Sequence, residues 1–182
     1  MAVVVLTMAM GSCTTPDGGA AAHRGIRTLE RGAVYAGVAT ELDQLAGVDA
    51  LGIRTLLDLD QESWADRARV SRDHAMARER GVLFVHLPLD PVTAPSLAEL
   101  KAAVDILREP RFHPILVHAD HGDHRIRMVI AAYRVRVQGW TPARASEEMA
   151  EGSRRTLLPP AWSTRLNEYA AVHGINAPGT EP

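Results

Sequence analysis

The residues best suited to chemistry lie together at positions 115–125, in the run Ile-Leu-Val-His-Ala-Asp-His-Gly-Asp-His-Arg. The apolar start predicts a buried strand, and a polar turn and a helix follow it. A strand–turn–helix junction directs backbone N–H groups and a helix N-terminus at one point, which favours an anion. Arg125, in the first helical turn, can hold a phosphate or sulfate by two parallel hydrogen bonds. The predicted anion-binding residues are His118, Ala119, Asp120, His121, Gly122, Asp123, His124 and Arg125.

The same run is rich in residue types that bind metals. Imidazoles and carboxylates suit Zn²⁺ or a similar ion, and a metal-bound water would then be the nucleophile of a hydrolase. The candidate ligands are His118, His121, Asp123 and His124. They resemble part of the metallo-β-lactamase signature, but Ala119 stands at its first histidine and nothing downstream completes it. We favour the alternative, a solvated polar turn with no metal or cofactor.

Short apolar strands alternate with helices along the chain, which predicts an α/β fold with a central, mainly parallel sheet flanked by helices. Buried strands are predicted at 53–59, 82–87 and 114–118, and shorter strands at 26–29 and 34–35. Helices are predicted at 40–51, 63–80, 96–107 and 128–138. Two more are predicted, one that begins at 141 and a last one that includes 162–173. The three tryptophans, Trp64, Trp140 and Trp162, are predicted to lie in the core.

His118, Gly122 and Arg125 resemble the signature of the cysteine-dependent protein tyrosine and dual-specificity phosphatases, which is His-Cys, five residues and Arg. Further segments resemble small bacterial members in the family's order: 34–37, 51–59, 85–89, 94–96 and 133–149. The resemblance implies the phosphatase fold. It also implies that the backbone amides of residues 119–125 and the Arg125 side chain hold a phosphate.

Two positions depart from the signature in ways that concern catalysis. Ala119 stands where the family has its nucleophilic cysteine, and Ile126 stands where a serine or threonine hydroxyl helps the thiolate leave. A thiolate attacks phosphorus and forms a cysteinyl-phosphate, which a methyl group cannot do. Loss of such a nucleophile costs on the order of 10⁶ in kcat. The resemblance therefore implies an inactive phosphatase relative, a pseudophosphatase.

Acidic residues around the predicted loop form a second group of departures. Asp58 and Asp60 stand where bacterial members have asparagine and arginine, which removes a cation near the site. Asp120 and Asp123 add negative charge within the loop itself, so phosphate binding is expected to be weak. Asp90 lies in the region of the family's general acid and would be its vestige. The alternative for Asp90, which precedes Pro91, is a turn former.

The amino terminus predicts export. Residues 1–12 are apolar and then small, like the later parts of a signal peptide, and too few to span a membrane as a helix. The run Met10-Gly-Ser-Cys13 resembles a bacterial lipobox, which implies lipidation of Cys13 and a lipoprotein on the periplasmic side. The alternative is a chance cysteine in the leader of a cytoplasmic protein. The predicted organisation is a signal segment at 1–12, a flexible tether at 13–25, the phosphatase-like domain at 26–174 and a tail at 175–182.

Length and composition limit the remaining classes of function. The 182 residues suit one domain, and 46% hydrophobic with 23% charged residues excludes disorder and coiled coil. A net charge of −2 argues against a nucleic-acid partner. We expect a phosphorylated protein or a small phosphate or sulfate ligand, with membrane contact only through the lipid anchor. A protein-interaction scaffold remains an alternative, and the oligomeric state stays open.

Overall fold

The computed structural model describes residues 26–38, 47–61, 67–119, 123–151 and 159–175. The predicted signal segment and tether lie outside these residues, as does the tail beyond 175. Also outside them are Cys13, Thr40, Ser63, Trp64, Asp120, His121 and Gly122. Within the described ranges, no helix combines the length and the apolar character that crossing a bilayer requires.

Within the described residues, five strands form one sheet, as the alternation of short apolar runs predicts. They are β1 (Ile26–Glu30), β2 (Val34–Val38), β3 (Thr55–Asp58), β4 (Leu83–His86) and β5 (Ile115–Ala119). Their order across the sheet is β1-β2-β5-β3-β4. β1 runs antiparallel to β2, and the pairs β2–β5, β5–β3 and β3–β4 are parallel. The prediction of a mainly parallel α/β sheet is confirmed.

The helices between and after the strands are α1 (Arg67–Glu79), α2 (Leu97–Arg108), α3 (Asp123–Gln138), α4 (Pro142–Glu151) and α5 (Pro160–Val172). Ser96 and Glu99 cap α2 reciprocally, as their spacing predicts. α3 begins at Asp123 rather than at Met128, so its polar first turn is helical and not part of the preceding turn. The earlier start places Arg125 in the first turn of a long helix.

Both faces of the sheet are covered, because successive strand residues point to opposite sides. Tyr35, Leu116 and Leu56 are register neighbours on three adjacent strands and pack with Val48 and with Ala77 of α1. The next residues along, Ala36, Val117 and Leu57, pack in the larger cluster that α2, α3, α4 and α5 complete. Continuous apolar strands are therefore needed, since neither face meets solvent.

The strand β4 differs from its prediction as a buried strand. It is the last strand of the sheet, Leu83 is 50% exposed, and the three residues after it are half-buried. The apolar sequence of β4 resembles that of a central strand, but its position leaves one backbone edge and part of its side chains outside the core. Local periodicity cannot distinguish an edge strand from a central one when both are apolar.

Candidate functional site

The carboxyl ends of three parallel strands bring polar side chains to one edge of the sheet. His118 of β5 lies beside Asp58 of β3, and Asp58 lies beside His86 of β4. In open parallel sheets, ligands bind outside the carboxyl ends of the strands. Ala119, the residue before the predicted anion-binding turn, ends β5 at this edge, so the carboxyl edge of the sheet is the candidate functional site.

Ala119 is the last residue of β5 and is 1% exposed. It pairs in register with Val38 of β2 and belongs to the same apolar cluster as Ile126 of α3. Its Cβ therefore lies at the strand end, from which the chain leads to the first residue of α3 at Asp123. The position where the resemblance places a nucleophile thus holds a buried methyl group.

Arg125 extends from the first turn of α3 to the segments that follow β3 and β4. Its Nη2 donates to Oδ1 of Asp60 at 2.8 Å, and its Nη1 donates to the carbonyl oxygens of Leu59 at 3.0 Å and Leu89 at 3.3 Å. The side chains of Arg125 and Asp60 are each 2% exposed, so the ion pair is shielded from water and salt. The side chain predicted to hold an external anion holds an internal one in this structure.

The backbone of Asp60 is fixed on both sides. Its N–H donates to Oδ1 of Asp58 at 3.0 Å, and its carbonyl oxygen lies 2.7 Å from Nε2 of His86. A carbonyl oxygen has no proton to give, so Nε2 of His86 is the donor. The same Nε2 lies 3.9 Å from Oδ2 of Asp58. These contacts aim the Asp60 carboxylate at the guanidinium of Arg125.

His118 is the fourth residue of β5, at the start of the predicted 118–125 loop, and is 1% exposed. Its carbonyl oxygen accepts a hydrogen bond of 3.0 Å from the Leu59 N–H. That bond ties the end of β5 to the segment that carries Asp60. The position favours a structural role for His118 in supporting the loop rather than direct contact with a ligand.

A family model described as "DSP-PTPase phosphatase fused to NAD+ Kinase" matches residues 20–161, which is more than half of the chain. The chain belongs to this dual-specificity phosphatase family. The matched residues include β5, the first turn of α3 and Arg125.

A relative in Pseudomonas aeruginosa strain UCBPP-PA14, the dual specificity protein phosphatase TpbA, is 32% identical over 80 residues. The match covers 44% of this chain and 37% of the relative. The chain thus matches little more than a third of that phosphatase.

Solved phosphatase structures share the fold over most of the chain. A crystal structure of a mutant form of Tk-PTP has a TM-score of 0.68 and 18% identity, and covers 84% of this chain and 98% of its own. A crystal structure of a P. aeruginosa TpbA variant in complex with pTyr has a TM-score of 0.55 and 23% identity, and covers 70% of this chain and 78% of its own. At these identities the likeness shows the fold alone.

Asp90, the predicted vestige of the family's general acid, forms a turn. Its Oδ1 accepts hydrogen bonds from the backbone N–H groups of Val92 at 2.7 Å and Thr93 at 2.8 Å. These donors, Thr93 first and then Val92, hold the pKa of the Asp90 carboxyl below its ordinary value. A general acid must carry a proton at working pH, so a lowered pKa favours the turn-forming role.

We predict that a carbon-13 NMR titration of the Asp90 carboxyl has its midpoint below 3.8, the ordinary value for aspartate. Because the folded pKa is depressed, the carboxylate stabilises the loop above the unfolded pKa and loses this effect as pH falls through the folded pKa. Asp90→Ala should therefore lower the urea midpoint at neutral pH. Asp90→Asn keeps an acceptor oxygen and should lower it less. An NMR titration midpoint above 3.8 would instead indicate a carboxyl group that keeps its proton more readily, as a general acid requires.

Of the four metal-ligand candidates, the structure describes the side chains of His118 and His124. Across the described ranges of the chain, no group of three or more histidine, cysteine, aspartate or glutamate side chains is placed to hold an ion. His118 is buried on β5, and the His124 ring lies 5.9 Å from the ring of Trp162 on α5. His121 and the side chain of Asp123 lie outside the described part of the structure. The described geometry of His124 favours packing against α5.

Sequence reasoning missed the contact between Asp60 and Arg125, although it singled out both residues. It treated Asp60 as a lost cation rather than as a partner. A signal was present, because Asp58 follows the apolar residues of a strand predicted to be buried, and buried carboxylates need donors or a cation. A buried carboxylate predicts a donor or a cation beside it, but not which residue supplies that donor or cation. His86, which supports Asp60 from β4, gave no signal beyond its place at a strand end.

Proposed function

We propose that this domain is a catalytically silent member of the dual-specificity phosphatase family that binds a phosphate, a sulfate or a phosphorylated side chain at the loop of residues 118–125. The observation that carries the proposal is Ala119 at the end of β5, where a nucleophile would have to stand. An alkyl side chain has no electron pair with which to attack phosphorus. The expected partner is a phosphorylated protein or a small anion of the same chemistry.

The geometry around the loop supports the binding part of the proposal. α3 begins within four residues of the end of β5, which directs a helix N-terminus towards the turn. Arg125 follows in the first turn of that helix and carries the planar guanidinium that recognises phosphate and sulfate. The TpbA structure described above was solved with pTyr, a ligand of the proposed class.

One observation favours a second candidate, a scaffold that uses another surface. Arg125 is buried against Asp60, so the loop can be a relic whose arginine now only holds the fold. A scaffold would bind its partner equally well after the substitution Arg125→Lys, because the loop would not contribute to the interface.

The proposal predicts that the full chain releases no aryl alcohol from an aryl phosphate above the buffer rate. Turnover would overturn the silent assignment, and turnover abolished by a chelator would assign it to a metal-bound water. Binding is measured by calorimetry with phosphotyrosine. Arg125→Lys keeps the charge but loses the paired N–H groups, so it should weaken binding at least about tenfold.

The matched control is Arg111→Lys, since Arg111 is 73% exposed on the connection between α2 and β5. It should leave phosphotyrosine affinity unchanged. If Arg125→Lys also leaves the affinity unchanged, the loop is not the binding site and the scaffold candidate replaces the proposal.

A further inference from the structure

We propose that Asp60 is the specificity-determining residue of the anion site, as an internal anion that opposes dianionic phosphate monoesters and favours monoanions such as sulfate monoesters. The inference rests on the proposed function, because it concerns which anion the 118–125 loop accepts. The observation behind it is the 2.8 Å contact between Asp60 Oδ1 and Arg125 Nη2, with both side chains 2% exposed.

Two nitrogens of Arg125, Nη1 and Nη2, already donate to acceptors within the fold. A guanidinium has five N–H groups in a planar fork, and it grips a tetrahedral anion with two parallel ones. Here Nη1 serves the carbonyls of Leu59 and Leu89, and Nη2 serves Asp60. An incoming anion must therefore either displace the Asp60 carboxylate or bind beside it.

The backbone of Asp60 is held too firmly for the residue to move away from Arg125. Its backbone is held from one side by Asp58 Oδ1, which accepts its N–H at 3.0 Å, and from the other by His86 Nε2, which lies 2.7 Å from its carbonyl oxygen. These bonds fix the Cα of Asp60 at the sheet edge, so its carboxylate stays near Arg125 even after a rotamer change. The negative charge remains part of the site in either case.

The charge of the ligand determines how strongly Asp60 opposes its binding. The described edge holds two buried carboxylates, Asp58 at 0% and Asp60 at 2% exposure, and Asp60 is in direct contact with Arg125. Like charges at close range in a poorly solvated site repel strongly, and each added ligand charge adds to the repulsion. A sulfate monoester carries one charge, and a phosphate monoester carries two above its second pKa, about 6. Asp60 therefore penalises the phosphate more.

Phenyl sulfate and phenyl phosphate make a matched pair of probes, because they have the same shape and differ by one charge. We expect the full wild-type chain to bind phenyl sulfate more tightly than phenyl phosphate at mildly alkaline pH. Asp60→Asn keeps the side-chain size and an acceptor oxygen for Arg125. It should tighten phenyl phosphate binding about tenfold more than phenyl sulfate binding.

The control Asp105→Asn removes the same charge from the exposed face of α2, where Asp105 pairs with Lys101, and should leave the ratio of the two affinities unchanged. Asp60→Ser provides a second neutral variant if Asp60→Asn does not fold, and the wild-type ratio needs no variant at all. Wild-type preference for phenyl phosphate, or a ratio that Asp60→Asn leaves unchanged, would overturn the role of Asp60 while anion binding stands. If neither probe binds wild type or the Asp60 variants, the proposed function fails and this inference fails with it.

Discussion

Arg125→Met should lower the free energy of unfolding by about 3–5 kcal/mol, the usual cost of removing one partner from a buried ion pair. The change leaves the Asp60 carboxylate buried without its guanidinium, at 2% exposure, and takes the Nη1 donor away from the Leu59 and Leu89 carbonyls. Methionine fills most of the volume of the arginine stem, so the loss reflects charge and hydrogen bonding rather than a cavity. Urea unfolding followed by circular dichroism measures it.

A double variant separates the contribution of the ion pair to stability from the contributions of its two side chains. Asp60→Leu alone should also destabilise, because it removes the carboxylate that accepts from Arg125 Nη2 and leaves the guanidinium buried without it. Asp60→Leu combined with Arg125→Met should recover most of the loss, since apolar replacements for a buried pair are often neutral. The exposed control Arg111→Met should stay within about 0.5 kcal/mol of wild type. A loss below about 1 kcal/mol for Arg125→Met would mean that the pair contributes little in solution.

The sheet and the helices could be predicted because their signals are local. Short apolar runs indicate strands that are covered on both faces, and capping residues such as Ser96 with Glu99 indicate where a helix begins. The position of a strand within the sheet is not a local property. β4 has the apolar residues of a central strand, yet it lies at the edge with Leu83 half exposed.

The environment of Trp140 shows a similar limit for single residues. Its sequence context predicts a core position, but the ring is only half-buried. The guanidinium carbons of Arg134 and Arg144 lie 4.6 Å and 3.7 Å from its centroid. Cation–π contacts of this kind let a large ring lie near the surface. Its type predicts burial, whereas its partners are charged side chains of the two helices that flank it in the chain, α3 and α4.

For the candidate site, sequence could predict the participants but not their pairing. The turn after β5 and the arginine of α3 follow from the strand–turn–helix pattern. The partner of that arginine lies 65 positions earlier in the chain, at the end of a different strand. Only the β5–β3 register, which places His118 beside Asp58, brings the two segments together. Charge alone could not select Asp60 from the other acidic residues near the loop.

Ala119→Cys should restore phosphoryl transfer to the loop. The new thiol would lie at the end of β5, four residues before the start of α3, and the helix N-terminus favours its ionised form. The thiolate attacks phosphorus, the bond between phosphorus and the aryl oxygen breaks, and the aryl oxide leaves with the electron pair and takes a proton from water. We expect the initial rate of aryl alcohol release to rise at least about 10³-fold over wild type, which is part of the roughly 10⁶-fold that an intact nucleophile contributes to the rate.

The time course of product release should show whether Ala119→Cys restores only the attack on phosphorus or the complete catalytic cycle. Ile126, 3% exposed in α3, offers no hydroxyl to help the sulfur leave, so Ala119→Cys should release one aryl alcohol per protein and then nearly stop. Mass spectrometry should find the phosphoryl group on residue 119. Adding Ile126→Thr, which is branched at the same carbon, should turn the burst into steady turnover. Ala119→Ser has the same reach without a readily formed anion and should show no burst. If Ala119→Cys is as silent as wild type, the loop no longer places a phosphate in line with residue 119, and the missing sulfur is not what silences this domain.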